Sequence, residues 1–233
     1  MNDIEVIALL KKNQNSKGIK KWSKKKQRID RLKSYGIGLT VLRKLAKKIG
    51  KNHVLSLKLW ESKFYDAKII AILIDDPKQM TRRQIELQVE SLEQGHLSHV
   101  FSSCGAPLAK TSFVAEIAHD WMHHKDTIRR RCGYGLLYEI SKFKNKNTPN
   151  EDFFLERITY ISTHFEAENK LVKGAMGGAL LGIGKRSIKL NKAALKLAKA
   201  IGPIQIGADN SNCEPFDVVK HLTSDYIKKK LGL

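Results

Sequence analysis

The sequence predicts an all-α protein, a curved α-α superhelix of stacked helical pairs, and three observations carry that expectation. Apolar residues recur at three- and four-residue spacing along most of the chain, which is the helical period. Period-two runs of β-branched residues, the mark of strands, are confined to Pro203-Ile204-Gln205-Ile206. Third, residues 64–73, 128–137 and 171–180 share one pattern, opening with charged residues and passing through small residues into bulky aliphatics.

Taken in order, Leu39, Leu42, Leu45, Ala46 and Ile49 form the first clear apolar stripe, closed by Gly50 just past its end. Val54, Leu55, Leu57, Leu59 and Trp60 make a second helix. Phe64, Ala67, Ile70, Ala71, Leu73 and Ile74 make a third, stopped by Asp75-Asp76-Pro77. The pattern continues over 85–92, 113–122, 128–140, 153–161, 171–183 and 193–201, for about a dozen helices joined by short polar turns. Small residues at a helix centre let neighbouring helices approach closely, as the inner helix of a HEAT-type pair requires. The separations of the three similar helices, 64 and 43 residues, fit one to two HEAT-like helical repeats of roughly 40–47 residues. The whole chain, residues 1–233, is therefore read as a single domain with a strongly basic N-terminal helical segment at 1–51.

That basic segment dominates the electrostatics. The 233 residues carry 43 Lys and Arg against 23 Asp and Glu, a formal charge of +20. Residues 1–51 hold 16 of the cations and only three acids, Asp3, Glu5 and Asp30, so +13 of the excess lies there. Between Lys17 and Arg28 the lysines are interleaved with Ile19 and Trp22, followed by Ile29 and Leu32, which is the spacing of a basic helix face rather than a tail. So large and localised an excess points to a polyanion, and nucleic acid is the commonest one.

Several function classes are excluded or demoted. No window approaches the roughly 18 consecutive apolar residues of a membrane span, and the start lacks a basic n-region with an apolar follower. A soluble, cytoplasmic monomer is expected. Cys104, Cys132 and Cys213 are too few and too far apart for a disulfide framework or a zinc ribbon. His119 and His123 stand four apart, which is metal-ligand spacing, and His119-Asp120 matches the pair of HD-type phosphohydrolases, but the remaining ligands are missing. His96 and His99, three apart, line a polar groove, with metal binding or action as acid and base as the alternatives. Gly174, Gly177, Gly178, Gly182 and Gly184 lack the order and preceding strand of a phosphate loop, so they read as close helix packing. The 209–215 loop lacks EF-hand spacing. No cofactor and no metal are expected.

The string from Tyr35-Gly36-Ile37-Gly38 through Arg43-Lys44-Leu45-Ala46-Lys47, then Leu59-Trp60-Glu61-Ser62 and Ala71-Ile72-Leu73-Ile74-Asp75-Asp76-Pro77, resembles the DNA alkylation repair family of AlkD-like HEAT-repeat proteins. Residues 175–186 carry the same resemblance. It implies a helical solenoid holding duplex DNA in a positive concave groove, and glycosylases that release N3- and N7-alkylated purines. Such a purine already carries positive charge, so its bond to the sugar breaks through an oxocarbenium-like state that a nearby carboxylate stabilises. Aromatic faces add cation–π attraction of about 0.5–2 kcal/mol.

Active members imply a Trp-Asp-x-x-Asp segment, a later Arg and a further Trp. Here the segment falls on Gly95-His96-Leu97-Ser98-His99 and the late Trp on Gly178, while the Arg is matched by Arg131. Exchanging the carboxylate for His99 removes an attraction of roughly 4 kcal/mol at contact distance and intermediate dielectric. The catalytic positions are thus His99 and Arg131, with Tyr134, Tyr138, Glu93 and Asp120 as candidate replacements for the missing ring and carboxylate. The expected DNA contacts are Lys20, Lys21, Lys24, Lys25, Arg43, Lys47, Arg129, Arg130, Arg131, Lys173, Lys185 and Arg186. Three functions follow: a DNA-binding protein without base excision, an alkylpurine glycosylase using another carboxylate, and a scaffold for acidic proteins.

Overall fold

The computed structural model describes residues 1–24, 32–92, 96–144, 149–206 and 214–233. Among these, every regular element is helical: α1 (Asp3–Lys12), α2 (Ser16–Lys24), α3 (Leu39–Ile49), α4 (His53–Trp60), α5 (Tyr65–Ile74), α6 (Arg82–Glu90), α7 (His96–Ser102), a 3-10 turn (Pro107–Lys110), α8 (Val114–Met122), α9 (Thr127–Ile140), α10 (Glu151–His164), α11 (Lys170–Gly184), α12 (Ile188–Ile201), α13 (Val218–Leu222) and α14 (Asp225–Leu231). The strand signal at 203–206 produces only an isolated bridge, in which Ile204 and Phe216 exchange both backbone hydrogen bonds at 2.9 and 2.8 Å. The helices pack as two compact units, Met1–Thr111 and Ser112–Leu233.

In the first unit α5 is the central helix, packed against α1, α3, α4 and α7. Its Ala67, Ile69, Ile70, Ala71 and Ile74 are all buried, and a helix that is apolar around its circumference belongs in a core. Both of its ends carry a buried carboxylate. Asp75, at the C-cap, accepts from the Asp76 amide at 2.8 Å and Gln84 Nε2 at 2.8 Å, and lies 2.7 Å from His53 Nδ1.

Asp66, in the first turn, is 1% exposed and accepts from Ser34 Oγ (2.8 Å), the Tyr35 amide (2.8 Å) and the Ile37 amide (3.0 Å). The carboxylate thereby pins the 34–37 segment, and that segment holds α2. The Asn15 amide donates to Tyr35 O at 2.9 Å. Gly18 crosses Gly36 so closely that a Cβ on Gly18 would stand 2.0 Å from the Gly36 carbonyl oxygen, and Gly36 itself has φ +69°. Trp22 then lays its ring 4.6 Å from that of Tyr65 and donates Nε1–H to Leu32 O. No residue of helix α2 is fully buried, and among the described residues these contacts hold it.

In the second unit α9 and α11 pack face to face, with α8 against α9 and α12 against α11. Small residues set the separations. A Cβ on Gly133 would meet the Met122 amide nitrogen at 2.7 Å, and one on Gly182 would meet Ser141 Oγ at 2.3 Å. In the glycine series of α11, Gly174, Gly177, Gly182 and Gly184 are closely packed against neighbouring side chains, whereas Gly178 is not. Tyr134 is a correction: it is 1% exposed and faces the core, so its ring offers no surface. Burial also holds its hydroxyl above the usual tyrosine range, with Tyr160 and Glu168 adding to the effect.

Replacing Asp66 with Ala orphans the Tyr35 and Ile37 amides at roughly 1–3 kcal/mol each. The variant is expected to unfold about 2–6 kcal/mol more easily in a denaturant titration, and an unchanged midpoint would refute the anchoring role.

Candidate nucleic-acid interface

Among the described residues, the expected DNA contacts of the first unit lie on two helices. Lys20, Lys21 and Lys24 are exposed on α2, and Arg43 and Lys47 are exposed on α3. Leu42, Leu45 and Ala46 bury the opposite face of α3, which turns its basic residues to solvent by helical periodicity. Arg43 reaches the segment after α7, donating from Nη2 to Cys104 O at 3.4 Å. Lys25, Gly95, Glu93 and the 209–213 segment with Cys213 lie outside the described residues, as does the side chain of His96.

His99 sits on α7 with Nε2 2.7 Å from Cys104 Sγ. Cys104 adopts φ 61°, an unusual backbone for a residue with a side chain, which turns its thiol back onto the helix it follows. The position that the resemblance gives to a carboxylate thus holds an imidazole engaged with a thiol.

In the second unit the arginine triplet opens α9. Arg130 forks onto Glu168 through Nε (2.5 Å) and Nη2 (3.0 Å), while Nη1 donates to the carbonyls of His124 and Lys125. This pairing holds the guanidinium even above its usual range, the Glu168 hydrogen bonds being the largest cause. Arg129 and Arg131 are half-buried on the same helix. Lys173 pairs with Glu166 at 2.9 Å and lies over the Phe165 ring. Arg186 donates from Nη1 to Ser141 O and Phe143 O and stacks on Phe154. Lys185 follows the last turn of α11, half-buried. Gly178 faces open space, with nothing within 4 Å of where a Cβ would stand.

The histidine pair on α8 is built into a ring cluster. The His119 and His123 rings lie 4.4 Å apart, His123 contacts Tyr160 at 4.4 Å, and Tyr160 stacks on His164 at 3.9 Å. His123 Nδ1 is 2.7 Å from His119 O, and Arg157 Nη2 is 3.2 Å from His119 Nδ1. Among the described residues no three His, Cys, Asp or Glu side chains converge as a metal-ligand group. No helix among them is long and apolar enough to cross a membrane.

The profile of the family described as "DNA alkylation repair enzyme" matches residues 6–203. The chain belongs to that family. The uncharacterized protein Lmo0209 of Listeria monocytogenes is 23% identical over 195 residues, spanning 83% of this chain and 84% of that one. The uncharacterized protein Lin0241 of Listeria innocua is 22% identical over 195 residues, with the same coverage. One solved structure superposes with a TM-score of 0.81 over 100% of this chain and 97% of its own, at 18% identity. It belongs to a group described as related to the HEAT-like repeat DNA glycosylases, with affinity for branched DNA structures. The all-α, HEAT-like architecture expected from the repeat spacing is thus the fold of this DNA alkylation repair family member.

His119 titrates below the ordinary 6.5 because of burial first, then the charges of His123 and Arg157, with Asp120 opposing. The unfolded chain therefore binds this proton more readily, and the destabilisation develops as pH falls through 6.5. Arg157→Gln is expected to move the His119 midpoint upward in an NMR titration; an unmoved midpoint would exclude the Arg157 contribution.

Proposed function

We propose that this protein binds duplex or branched DNA through exposed basic faces in both units and does not excise bases. The observation that carries the reading is the contrast between the two halves of what an alkylpurine glycosylase needs. The cations are present: α2 and α3 expose Lys20, Lys21, Lys24, Arg43 and Lys47, and α9 opens on three arginines. The carboxylate is not: His99 occupies its position and meets Cys104 at 2.7 Å. A protonated His99 would repel an oxocarbenium sugar and a cationic purine alike, while costing nothing in affinity for phosphate.

Family membership and the branched-DNA affinity of the structural relative favour nucleic acid over an acidic protein as the polyanion. Glu168, a carboxylate beside the arginine triplet, is already forked by Arg130, so its charge is neutralised where a glycosylase alternative would need it. Arg130 and Arg186 spend hydrogen bonds on carbonyls of their own unit. They position the basic ends of α9 and α11, and the exposed lysines of α2 and Arg43 carry more of the phosphate contact.

Each neutralised phosphate releases counterions, so log affinity is expected to fall with log salt at a slope near −0.9 per contact. Lys20→Gln/Lys21→Gln/Lys24→Gln should flatten that slope by up to about 2.7 on linear and branched DNA. Wild-type binding that does not vary with salt would overturn the reading. Incubation with duplex DNA containing 7-methylguanine is expected to release base no faster than the protein-free control, and faster release would restore the glycosylase alternative.

A further inference from the structure

Five cations converge where three helix ends of the second unit meet. Helix α9 ends at Ile140, and Lys142 and Lys144 follow it; α11 ends at Gly184, and Lys185 and Arg186 follow it; α14 brings Lys230 in its last turn. Their proximity is fixed by hydrogen bonds. Lys230 Nζ donates to Lys185 O at 2.8 Å, tying α14 to the end of α11. Arg186 Nη1 donates to Ser141 O at 2.5 Å and Phe143 O at 3.0 Å, tying the end of α11 to the segment that carries Lys142 and Lys144. Gly182 lets the two ends close, because any side chain there would strike Ser141 and Tyr138. Lys142 Nζ lies 4.0 Å over the Tyr138 ring.

Helix C-termini attract cations, and that accounts for Arg186 and for one donor of Lys230. It does not account for the rest. Two carboxylates stand near the group: Glu139, paired with Lys142 at 2.7 Å, and Glu151, which acts on Arg186 and is hydrogen-bonded by Ser187. Among the described residues, five cations against these two carboxylates leave three positive charges in excess. The repulsion is felt within the cluster, where burial first and then Lys230 and Lys142 push Lys185 below the usual lysine range. Burial, Lys144 and Arg186 do the same to Lys230.

We propose that Lys142, Lys144, Lys185, Arg186 and Lys230 form a phosphate cradle that grips the nucleic-acid backbone. The cradle rests on the DNA-binding reading above and adds to it three residues, Lys142, Lys144 and Lys230, and a placement at the joined ends of α9, α11 and α14. Anion binding relieves the mutual repulsion, and lysine ammonium groups meet phosphate oxygens as point charges without a fixed approach angle. The two arms of the site differ in stiffness: Arg186 is held by its carbonyls and by Phe154, while Lys144 is an exposed side chain.

The test compares two variants with equal loss of charge in the same unit: Lys144→Gln/Lys185→Gln/Lys230→Gln in the cradle, and Lys192→Gln/Lys196→Gln/Lys199→Gln on the exposed face of α12. Affinity for a linear duplex and for a four-way junction is measured across a salt series. The cradle variant is expected to lose at least about tenfold in affinity and about 2 units of salt slope, and the α12 variant markedly less. Equal losses in the two variants would overturn the cradle while leaving DNA binding intact. A wild-type protein that binds neither DNA would overturn the DNA-binding reading itself, and the cradle with it. If the triple variant fails to fold, Lys144→Gln alone must flatten the slope by about 0.9 for the cradle to stand.

Discussion

The buried carboxylate of Asp66 is the constraint on which the most basic part of the molecule depends. It sits in the first turn of α5, where a negative charge suits the helix dipole, and it accepts three hydrogen bonds from the 34–37 segment. That segment in turn holds α2 by one backbone hydrogen bond and by the crossing of Gly18 over Gly36. No residue of helix α2 is fully buried. A chain of polar contacts starting from one core carboxylate, together with the Trp22 ring against Tyr65, fixes the direction of Lys20, Lys21 and Lys24. The arrangement explains how a lysine-rich helix, which by itself would be a marginal structure in water, is presented as a rigid surface.

In the second unit the same end is reached by close packing. Glycines on α9 and α11 remove the side chains that would hold the helices apart, and the helix ends are drawn together until their carbonyls are capped by arginine. The charges gathered there are structural and electrostatic at once. Arg130 and Arg186 are spent largely on their own fold, through a carboxylate fork and through carbonyls. The lysines around them are, in the proposed function, the groups that a polyanion meets. Arginine is suited to the first task because its planar fork satisfies several acceptors together, and lysine to the second because a compact charge on a flexible stem adapts to phosphate wherever it lies.

In the proposed function, an imidazole at position 99 separates holding DNA from acting on it. An imidazole in contact with a thiol cannot stabilise a developing sugar cation as a carboxylate does, and Gly178, where the family pattern has an aromatic ring, opens onto empty space. Neither change disturbs the core, because Leu97, Val100 and Phe101 bury the other face of α7 and Met176, Ala179 and Leu180 that of α11. The core contacts of these helices and the exposed cations rest on residues other than His99 and Gly178.

The sequence by itself determined the helical class, most helix positions and the charge, because each is written in local residue order: stripes at Leu39–Ile49 and Val114–Met122, a stop at Gly50, sixteen cations in fifty-one residues. The terminal helices α1, α13 and α14 and the short α7 carried too few apolar repeats to stand out, and the inward turn of Tyr134 could not be separated from an outward one by spacing alone. Only the tertiary structure decided what Asp66, Glu168 and Lys230 do. Asp66 meets residues some thirty positions away, Arg130 meets Glu168 across thirty-eight, and Lys230 meets Lys185 across forty-five. Those partners are brought together by the packing of whole helices, and no window of the sequence short enough to show a period contains both members of any pair.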